Sequence, residues 1–267
     1  MLYSPRKRFI FVKSSKTAGT SIEIALSRHL QDPADIITPL GSSDELLRLA
    51  YGGTPPRNCF SRQSMGIKTF NRYLRTSLLG LKLGNRTSHP SKTIEKILEF
   101  RYSRNDLALR NHISVDVIID SLGLERFSKS FSCGFVREPC ERAVSQFFWR
   151  NRQTDFSNCT ANELTQGFLA FLRNEYRSLA SQLRGIKHEG MQVTKVYKFE
   201  DLYRSYIDIC DRLGASEHER LKELPRAKMN VKSGRKLNVP KEQLLTSEAK
   251  TIIREKCTWE YVNFYDP

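Results

Sequence analysis

The sequence has few acidic residues, and its cysteines and histidines are not spaced for metal binding. Its 267 residues include 29 Asp plus Glu against 44 Lys plus Arg, which gives a net charge of +15. The six cysteines form no C-x-x-C pair and the five histidines are scattered, so the ligand spacing of a zinc site is absent. We therefore expect no metal, and we expect the cysteines to be reduced and mostly buried.

The sequence also lacks a long apolar run. No segment approaches the roughly 20 apolar residues that a membrane-spanning helix requires. Only residues 9–12 follow the basic start as an apolar stretch, which is too short for the core of a signal peptide. These absences predict a cytoplasmic protein. Hydrophobic residues make up 39% of the chain and aromatic residues 10%, too many for intrinsic disorder.

The excess positive charge is concentrated in two segments. Between Arg57 and Arg101 there are ten basic residues and two acidic ones, and 226–236 contains five basic residues and no acid. Uncancelled positive charge attracts anionic partners. We expect the first segment to help bind an acceptor that is already anionic. Its alternating apolar side chains would also permit peripheral contact with a membrane surface.

Apolar stretches that predict strands alternate with stretches of helical periodicity. This alternation is typical of an α/β domain with a parallel central sheet. We predict a single domain over 1–267, with residues 52–90, rich in Gly, Pro, Arg, Asn and Ser, as a basic insertion. The predicted strands are 9–13, 36–40, 131–137 and 193–199, and the predicted helices are 20–29, 44–50, 70–83, 94–100, 115–122, one from 139, 164–172, 176–183, 200–213 and 247–256.

The first candidate site is a short polar turn between the first buried strand and the first helix. Residues 13–21 read Lys-Ser-Ser-Lys-Thr-Ala-Gly-Thr-Ser. Small residues let several backbone N–H groups point into one concavity, the helix N-terminus adds partial positive charge, and Lys16 adds a full charge. The pattern predicts a phosphate site, but not the nucleoside-triphosphatase P-loop, because Lys16 precedes Gly19. An ordinary turn with a Thr or Ser cap is the alternative.

The second candidate site is the segment 135–145, which reads Phe-Val-Arg-Glu-Pro-Cys-Glu-Arg-Ala-Val-Ser. Arg137 leaves the carboxyl end of a buried strand, where ligands of open α/β sheets bind. Pro139 opens a helix that carries Ser145 two turns later. A guanidinium and a hydroxyl that converge from two elements can bind a phosphate. Salt bridges to the neighbouring glutamates are the alternative for Arg137.

The ordered pair of motifs resembles the PAPS-dependent sulfotransferases, whose cofactor is 3′-phosphoadenosine 5′-phosphosulfate. The stretch F-V-K-S-S-K-T-A-G-T-S is similar to their 5′-phosphosulfate loop, and V-R-E-P-C-E-R-A-V-S-Q-F to their 3′-phosphate motif R-x-P-x-x-R-x-x-S-x-[YF]. K-T-A-G-T-S-I-E-I-A-L-S-R followed by I-I-T-P resembles bacterial members of the carbohydrate-type (family 2) group. The resemblance covers roughly residues 8–50 and 110–210.

The resemblance implies a P-loop-like central parallel sheet flanked by helices, and it implies roles for individual residues. Lys16 would stabilise the leaving phosphate, and His112 is the candidate general base because histidine titrates near neutral pH. Glu23 and Asp35 are rival bases. The residues implied to bind the cofactor are Lys13, Thr17, Ala18, Gly19, Thr20, Ser21, Arg137, Ser145, Lys232 and Arg235.

The function that the resemblance implies is transfer of a sulfuryl group from PAPS to a hydroxyl of a carbohydrate or glycoconjugate, with no metal and no nucleic acid. Two alternatives of other classes stay open. A divergent P-loop-like nucleotide or nucleoside kinase would require Mg²⁺ and a carboxylate ligand at a strand end. A non-catalytic polyanion-binding module would bind nucleic acid or heparin-like polymers in a salt-dependent way that adenosine 3′,5′-bisphosphate does not affect.

Overall fold

Five strands form one sheet, in the order β3-β1-β2-β4-β5. The computed structural model describes residues 1–59, 109, 111–227 and 240–266. Helices pack on the sheet, so the predicted α/β class is confirmed. The strands are β1 (Leu2–Ser4), β2 (Phe9–Phe11), β3 (Ile36–Ile37), β4 (Phe131–Val136) and β5 (Lys195–Lys198).

The sheet is mixed, which corrects the prediction of a parallel sheet. β2, β4 and β5 run parallel, whereas β1 lies between β2 and β3 and is antiparallel to both. Each predicted strand is present, although each is shorter than predicted. Strand β1 was not predicted because three residues are too few for an alternating pattern to be recognised. Its pairing with β2 and β3 is what makes it a strand.

Most of the predicted helices that lie among the described residues are confirmed. The predicted helix 176–183 is reduced to its last turn, because the Leu179 N–H and the Ser178 hydroxyl donate to the Glu260 carboxylate instead. The described helices are α1 (Gly19–Ser27), α2 (Ser42–Ala50), α3 (Val115–Leu122), α4 (Leu124–Ser128), α5 (Pro139–Arg150), α6 (Ala161–Asn174), α7 (Ala180–Leu183), α8 (Leu202–Arg212), α9 (Ser247–Lys256) and α10 (Thr258–Glu260). Short 3₁₀ turns lie at Phe199–Asp201, Glu217–Glu219 and Lys241–Leu244, and a π-helical turn at Tyr261–Tyr265.

Side-chain caps fix where the helices around the site begin. The Glu138 carboxylate accepts hydrogen bonds from the N–H groups of Cys140 and Glu141, and Pro139 has no N–H that would need an acceptor. Helix α6 begins with a capping box between Thr160 and Glu163. None of the helices in the described ranges is both long enough and apolar enough to cross a membrane.

Strand β2 is buried on both faces, which explains its continuous apolar sequence. Phe9 and Phe11 pack with α1 and α8 on one face, and Ile10 and Val12 pack with α3 on the other. All four side chains are at most 1% exposed. A parallel strand covered by helices on both sides needs this pattern. All six cysteines are free thiols, and four of them are buried, as expected.

The start of the predicted insertion packs on the edge of the sheet. Arg57 exchanges two backbone hydrogen bonds with Ile37 of β3, at 3.0 and 3.1 Å, and its guanidinium donates to the Leu30 carbonyl at 2.9 Å. Residues 60–90 of the insertion lie outside the described residues, as do the predicted helices 70–83 and 94–100 and most of the basic segment.

One ionic cluster lies inside the core, centred on Glu23 of α1. Its Oε2 lies 3.0 Å from Lys13 Nζ and its Oε1 3.2 Å from Nη2 of Arg48 on α2, and all three side chains are at most 2% exposed. The Thr38 hydroxyl donates to Oε1 at 3.0 Å. Burial alone would raise the pKa of Glu23, but Lys13, the Met1 amino group and Arg48 lower it to about 2. The ionised carboxylate therefore ties the end of β2 to two helices.

Replacing Glu23 with Gln should lower the free energy of unfolding by about 3 to 5 kcal/mol at pH 7, measured by urea denaturation. The reason is that Lys13 would lose its buried carboxylate while remaining inside the protein. The matched control is Glu125→Gln. The Glu125 carboxylate on α4 forms an exposed pair with Lys129, and its loss should not affect stability measurably.

The effect of Glu23→Gln should also depend on pH. The pKa of Glu23 is lowered in the folded state, from 4.5 to about 2, so its contribution is complete above pH 4.5 and is lost as the pH falls toward 2. The stability difference between wild type and variant should therefore shrink over this range. A variant as stable as wild type at pH 7 would contradict the role of the pair.

Candidate functional site

Three strands end side by side at one edge of the sheet. β2, β4 and β5 are adjacent and parallel, so the residues that follow them leave the sheet at the same edge. The two candidate motifs, 13–21 and 137–145, are the exits from β2 and β4. Open α/β sheets bind ligands outside the carboxyl ends of their strands. The topology thus brings the two motifs together.

The turn after β2 has the backbone geometry of an anion-binding loop. Lys16 and Ala18 have φ values of 65° and 55°, in the left-handed region that residues other than glycine seldom adopt. Left-handed residues in a turn make successive N–H groups converge on one side. In the part of the chain that the structure describes, the N–H groups of Thr17, Ala18, Gly19 and Thr20 donate to no acceptor. Four donors therefore surround the N-terminus of α1.

Side chains of the turn fix its conformation. The Ser14 hydroxyl donates to the Phe135 carbonyl of β4 at 2.5 Å, and the Ser15 N–H donates to Gln182 Oε1 at 2.9 Å. Thr17 is fully buried, and its hydroxyl lies 2.8 Å from Ser14 Oγ. Thr17, predicted to bind the cofactor, can therefore offer its N–H group to a ligand, while its hydroxyl holds the turn.

Lys13, also predicted to bind the cofactor, points into the protein. Besides its ion pair with Glu23, its Nζ donates to Asn111 Oδ1 at 3.2 Å, and the side chain is 2% exposed. A Cβ atom at Gly19 would lie 2.8 Å from Lys13 Cγ, so only glycine lets the turn close over this lysine. The structure therefore gives Lys13 the role of shaping the turn from beneath.

Lys16 reaches from the turn to the helix of the second motif. Its Nζ lies 4.5 Å from the ring centroid of Trp149 on α5. Trp149 follows Ser145 by four residues, so the two lie on the same face of that helix. Ser145 is half-buried, and its hydroxyl makes no hydrogen bond within the described residues. The charged group of the first motif thus lies on the helix face that carries the hydroxyl of the second.

Arg137 lies at the exit of β4 with part of its guanidinium exposed. Its Cζ lies 4.5 Å from the ring centroid of Phe199, and its Nη2 3.2 Å from Glu141 Oε2. The salt bridge considered as the alternative role is therefore present. However, Glu141 is 64% exposed, and surface ion pairs contribute little to stability, so Arg137 can exchange this partner for a phosphate.

Arg142, the second arginine of the motif, is structural. Its side chain is 2% exposed, and its Nη2 donates to the Arg177 carbonyl at 2.7 Å. Its guanidinium stacks 4.5 Å from the Tyr176 ring and faces Glu260 at 3.8 Å. It therefore joins α5 to the C-terminal segment and faces away from ligands.

A hydrogen-bonded layer from the C-terminal segment supports the exit of β4. The hydroxyls of Tyr261 and Tyr265 donate to the carboxylates of Glu138 and Glu200 at 3.2 and 3.0 Å. Glu200 also accepts the Glu138 N–H at 2.9 Å. Burial raises the pKa of both tyrosines, so both stay protonated and able to donate. This layer adjoins Arg137, and sequence reasoning did not find it.

His112, the candidate base, lies beside the first motif. It follows Asn111, whose side chain accepts from Lys13 Nζ and donates to the Pro39 carbonyl at 2.6 Å. His112 has a left-handed φ of 58°, a further residue in an uncommon conformation at this edge. Through Asn111, the structure brings the chain at His112 close to the side chain of Lys13, the first residue of the turn after β2.

The two rival bases are less suited to the reaction. Glu23 is fully buried and stays ionised against its cations, so it accepts protons poorly. Asp35 precedes β3, which runs in the same direction as β2, so Asp35 lies at the opposite edge of the sheet from the turn.

Ala227, in the second basic segment (226–236), lies beside the first turn of α1. The Ser21 hydroxyl accepts the Ala227 N–H at 3.4 Å. Lys232 and Arg235 lie in that segment, outside the described residues. Thr20 is 4% exposed, and its hydroxyl makes no hydrogen bond within the described ranges.

Besides the tyrosine layer, the sequence analysis did not identify Asn111, Trp149 and Gln182, which contact residues of the two motifs. Asn111 and Gln182 act through side-chain bonds to the turn, and nothing in their sequence neighbourhood indicates this. Trp149 had a signal, because its spacing of four from Ser145 places it on the ligand face of a predicted helix.

The assembled site presents backbone donors, two cationic side chains and hydroxyl groups at one edge of the sheet. Within the described residues, no group of three His, Cys, Asp or Glu side chains is placed to hold a metal ion. Comparisons of the chain with protein-family models, with curated proteins and with solved structures find no match.

Proposed function

We propose that the protein is a sulfotransferase that moves a sulfuryl group from PAPS to a hydroxyl of a carbohydrate or glycoconjugate acceptor. The observation that carries the proposal is the contact of Lys16 with Trp149, on the helix face that also carries Ser145. Two anion-binding motifs on adjacent strands suit a ligand with two separated phosphate groups. PAPS carries one phosphate at the 5′ and one at the 3′ position of its ribose.

The donors present suit these two groups. Phosphate oxygens only accept hydrogen bonds, and the turn offers the four N–H groups of 17–20 together with the Lys16 ammonium. Arg137 and Ser145 offer a guanidinium fork and a hydroxyl for the 3′-phosphate. Lys232 and Arg235 lie outside the described residues and stay proposed cofactor-binding residues.

Each residue of the site has its own proposed role in the sulfuryl transfer. When bound, PAPS supplies a sulfuryl group on a good leaving group, adenosine 3′,5′-bisphosphate. Lys16 stabilises the negative charge that builds on the leaving phosphate, which favours the transition state over the ground state. His112 is the proposed base that takes the proton from the acceptor hydroxyl. The N–H groups of the turn are held by the fold and need no reorganisation.

The acceptor is proposed to be anionic because of the basic segment 57–101. Only its first three residues, Arg57 to Cys59, and Leu109 just beyond its end are described, and the backbones of Cys59 and Leu109 are joined by a 3.1 Å hydrogen bond. Cys59 and Leu109 are therefore close together in the structure. Leu109 lies three residues before His112, the proposed base.

Ligand binding tests the proposal directly. Adenosine 3′,5′-bisphosphate, at a hundred times its Kd, should raise the free energy of unfolding by about 2.7 kcal/mol, which is measured as an increase in Tm. The matched comparison is ATP with Mg²⁺ at the same concentration, which should have a smaller effect. A response to ATP with Mg²⁺ and none to the bisphosphate would favour a kinase and refute the proposal.

Lys16→Ala should lower kcat by about 10²- to 10³-fold, because the ammonium acts on charge that develops in the transition state. The Kd of adenosine 3′,5′-bisphosphate should change much less. Steady-state kinetics give kcat and calorimetric titration gives the Kd. The control is Lys129→Ala, which changes an exposed lysine just after α4. If only the KM for PAPS rises, Lys16 is not the charge-stabilising group.

Arg137→Ala should weaken cofactor binding more than it lowers kcat, the opposite of the effect expected for Lys16→Ala. Loss of a charge-assisted contact should weaken binding of adenosine 3′,5′-bisphosphate by roughly 10- to 150-fold. Binding of adenosine 5′-phosphosulfate, which has no 3′-phosphate, should be nearly unchanged. The affinity of Arg137→Lys for adenosine 3′,5′-bisphosphate should lie between those of wild type and Arg137→Ala, because lysine keeps the charge but not the planar guanidinium fork. Equal losses for the two ligands would remove Arg137 from the 3′-phosphate site.

A further inference from the structure

Trp149 lies in the last turn of α5, away from the core face of that helix. The core face is carried by Phe147, which is 4% exposed and packs edge-on against Phe168 of α6. A residue two positions further along a helix points in a nearly opposite direction. Trp149 is only half-buried, so its ring is available to groups outside the core.

Within the described residues, two cations lie over the ring of Trp149. Lys16 Nζ lies 4.5 Å and Arg152 Cζ 5.0 Å from its centroid. The negative face of an indole attracts cations, and tryptophan does so best among the aromatic residues. Arg152 is a neighbour on the same helix end, but Lys16 comes from the turn after β2. The turn thus spans the site to reach this ring.

The backbone of Lys16 is consistent with a directed side chain. Its left-handed φ of 65° is uncommon for a residue with a long side chain, and such conformations persist where the surroundings determine them. A lysine side chain has four rotatable bonds and loses much conformational entropy when it is held in one place. A contact that holds the Lys16 ammonium before a ligand binds reduces the conformational entropy that the side chain must still lose during the reaction.

We propose that Trp149 is the positioning residue for Lys16. The ring holds the ammonium over the helix face that carries Ser145, and a phosphate group on the turn then draws the ammonium off the ring. A charge-assisted hydrogen bond to a phosphate oxygen is stronger than a half-exposed cation–π contact, so the exchange favours the bound state. This inference rests on the proposed function and adds to it the residue that prepares the catalytic lysine.

Tryptophan fluorescence tests the resting contact. The chain has two tryptophans, so Trp259→Phe leaves Trp149 as the only tryptophan whose fluorescence is measured. In this background, Lys16→Met should change the emission of Trp149 without ligand. Adenosine 3′,5′-bisphosphate should change the emission when Lys16 is present and cause little further change in the Lys16→Met variant.

Kinetics test the consequence for the reaction. Trp149→Leu should lower kcat roughly 10-fold and leave the Kd of adenosine 3′,5′-bisphosphate within about two-fold of wild type. Trp149→Phe, which keeps an aromatic face, should recover most of the lost kcat. The control Arg152→Met removes the other cation from the same ring and should leave kcat unchanged.

The outcomes separate the inference from the proposed function. A wild-type protein that fails to bind the bisphosphate overturns both. Wild-type binding together with unchanged emission in Lys16→Met, or with wild-type kcat in Trp149→Leu, overturns the role of Trp149 alone. If Trp149→Leu does not fold, the change in Trp149 emission caused by Lys16→Met tests the role of Trp149 instead. Loss of Tm and of binding without rescue by Trp149→Phe would mean that Trp149 has only a structural role.

Discussion

The buried ion pair of Lys13 and Glu23 is the interaction on which the shape of the candidate site depends. Two charges that are at most 2% exposed can lie inside the protein only because each is paired with the other. The pair fixes the end of β2 against α1, so the turn between them must close in the space that remains. Gly19 allows this closure over the Lys13 stem, and left-handed Lys16 and Ala18 complete it. Four N–H groups are consequently left for a ligand.

The lysines and arginines of the site have two different roles, and the burial of each side chain determines which role it has. Lys13 and Arg142 are each 2% exposed and join secondary-structure elements through buried partners. Lys16 and Arg137 are only half-buried and rest against the aromatic rings of Trp149 and Phe199 at 4.5 Å. A cation on an aromatic ring is held in direction but can still leave for a stronger anionic partner. Lys16 and Arg137 are thus cations that the fold positions at this edge of the sheet without burying them.

The structure surrounds this edge with supports from distant parts of the chain. Gln182 holds the turn after β2, and the tyrosines of the C-terminal segment hold Glu138 and Glu200 at the exit of β4. Such supports fix the backbone from which the functional side chains project. They explain how two short motifs, each of which is weak on its own, acquire a defined relative position.

The sequence by itself determined the elements that depend on local order. Apolar runs predicted β2 and β4, because strands covered on both faces need them, and periodicity predicted α9 with the observed bounds, Ser247–Lys256. It also located both motifs at strand exits. Only the tertiary structure decided that β1 joins the sheet in the antiparallel direction, that Glu23 pairs with Lys13 and Arg48, and that Lys16 meets Trp149. These contacts join residues of different secondary-structure elements, and strand order and burial, which no local pattern records, determine which of them meet.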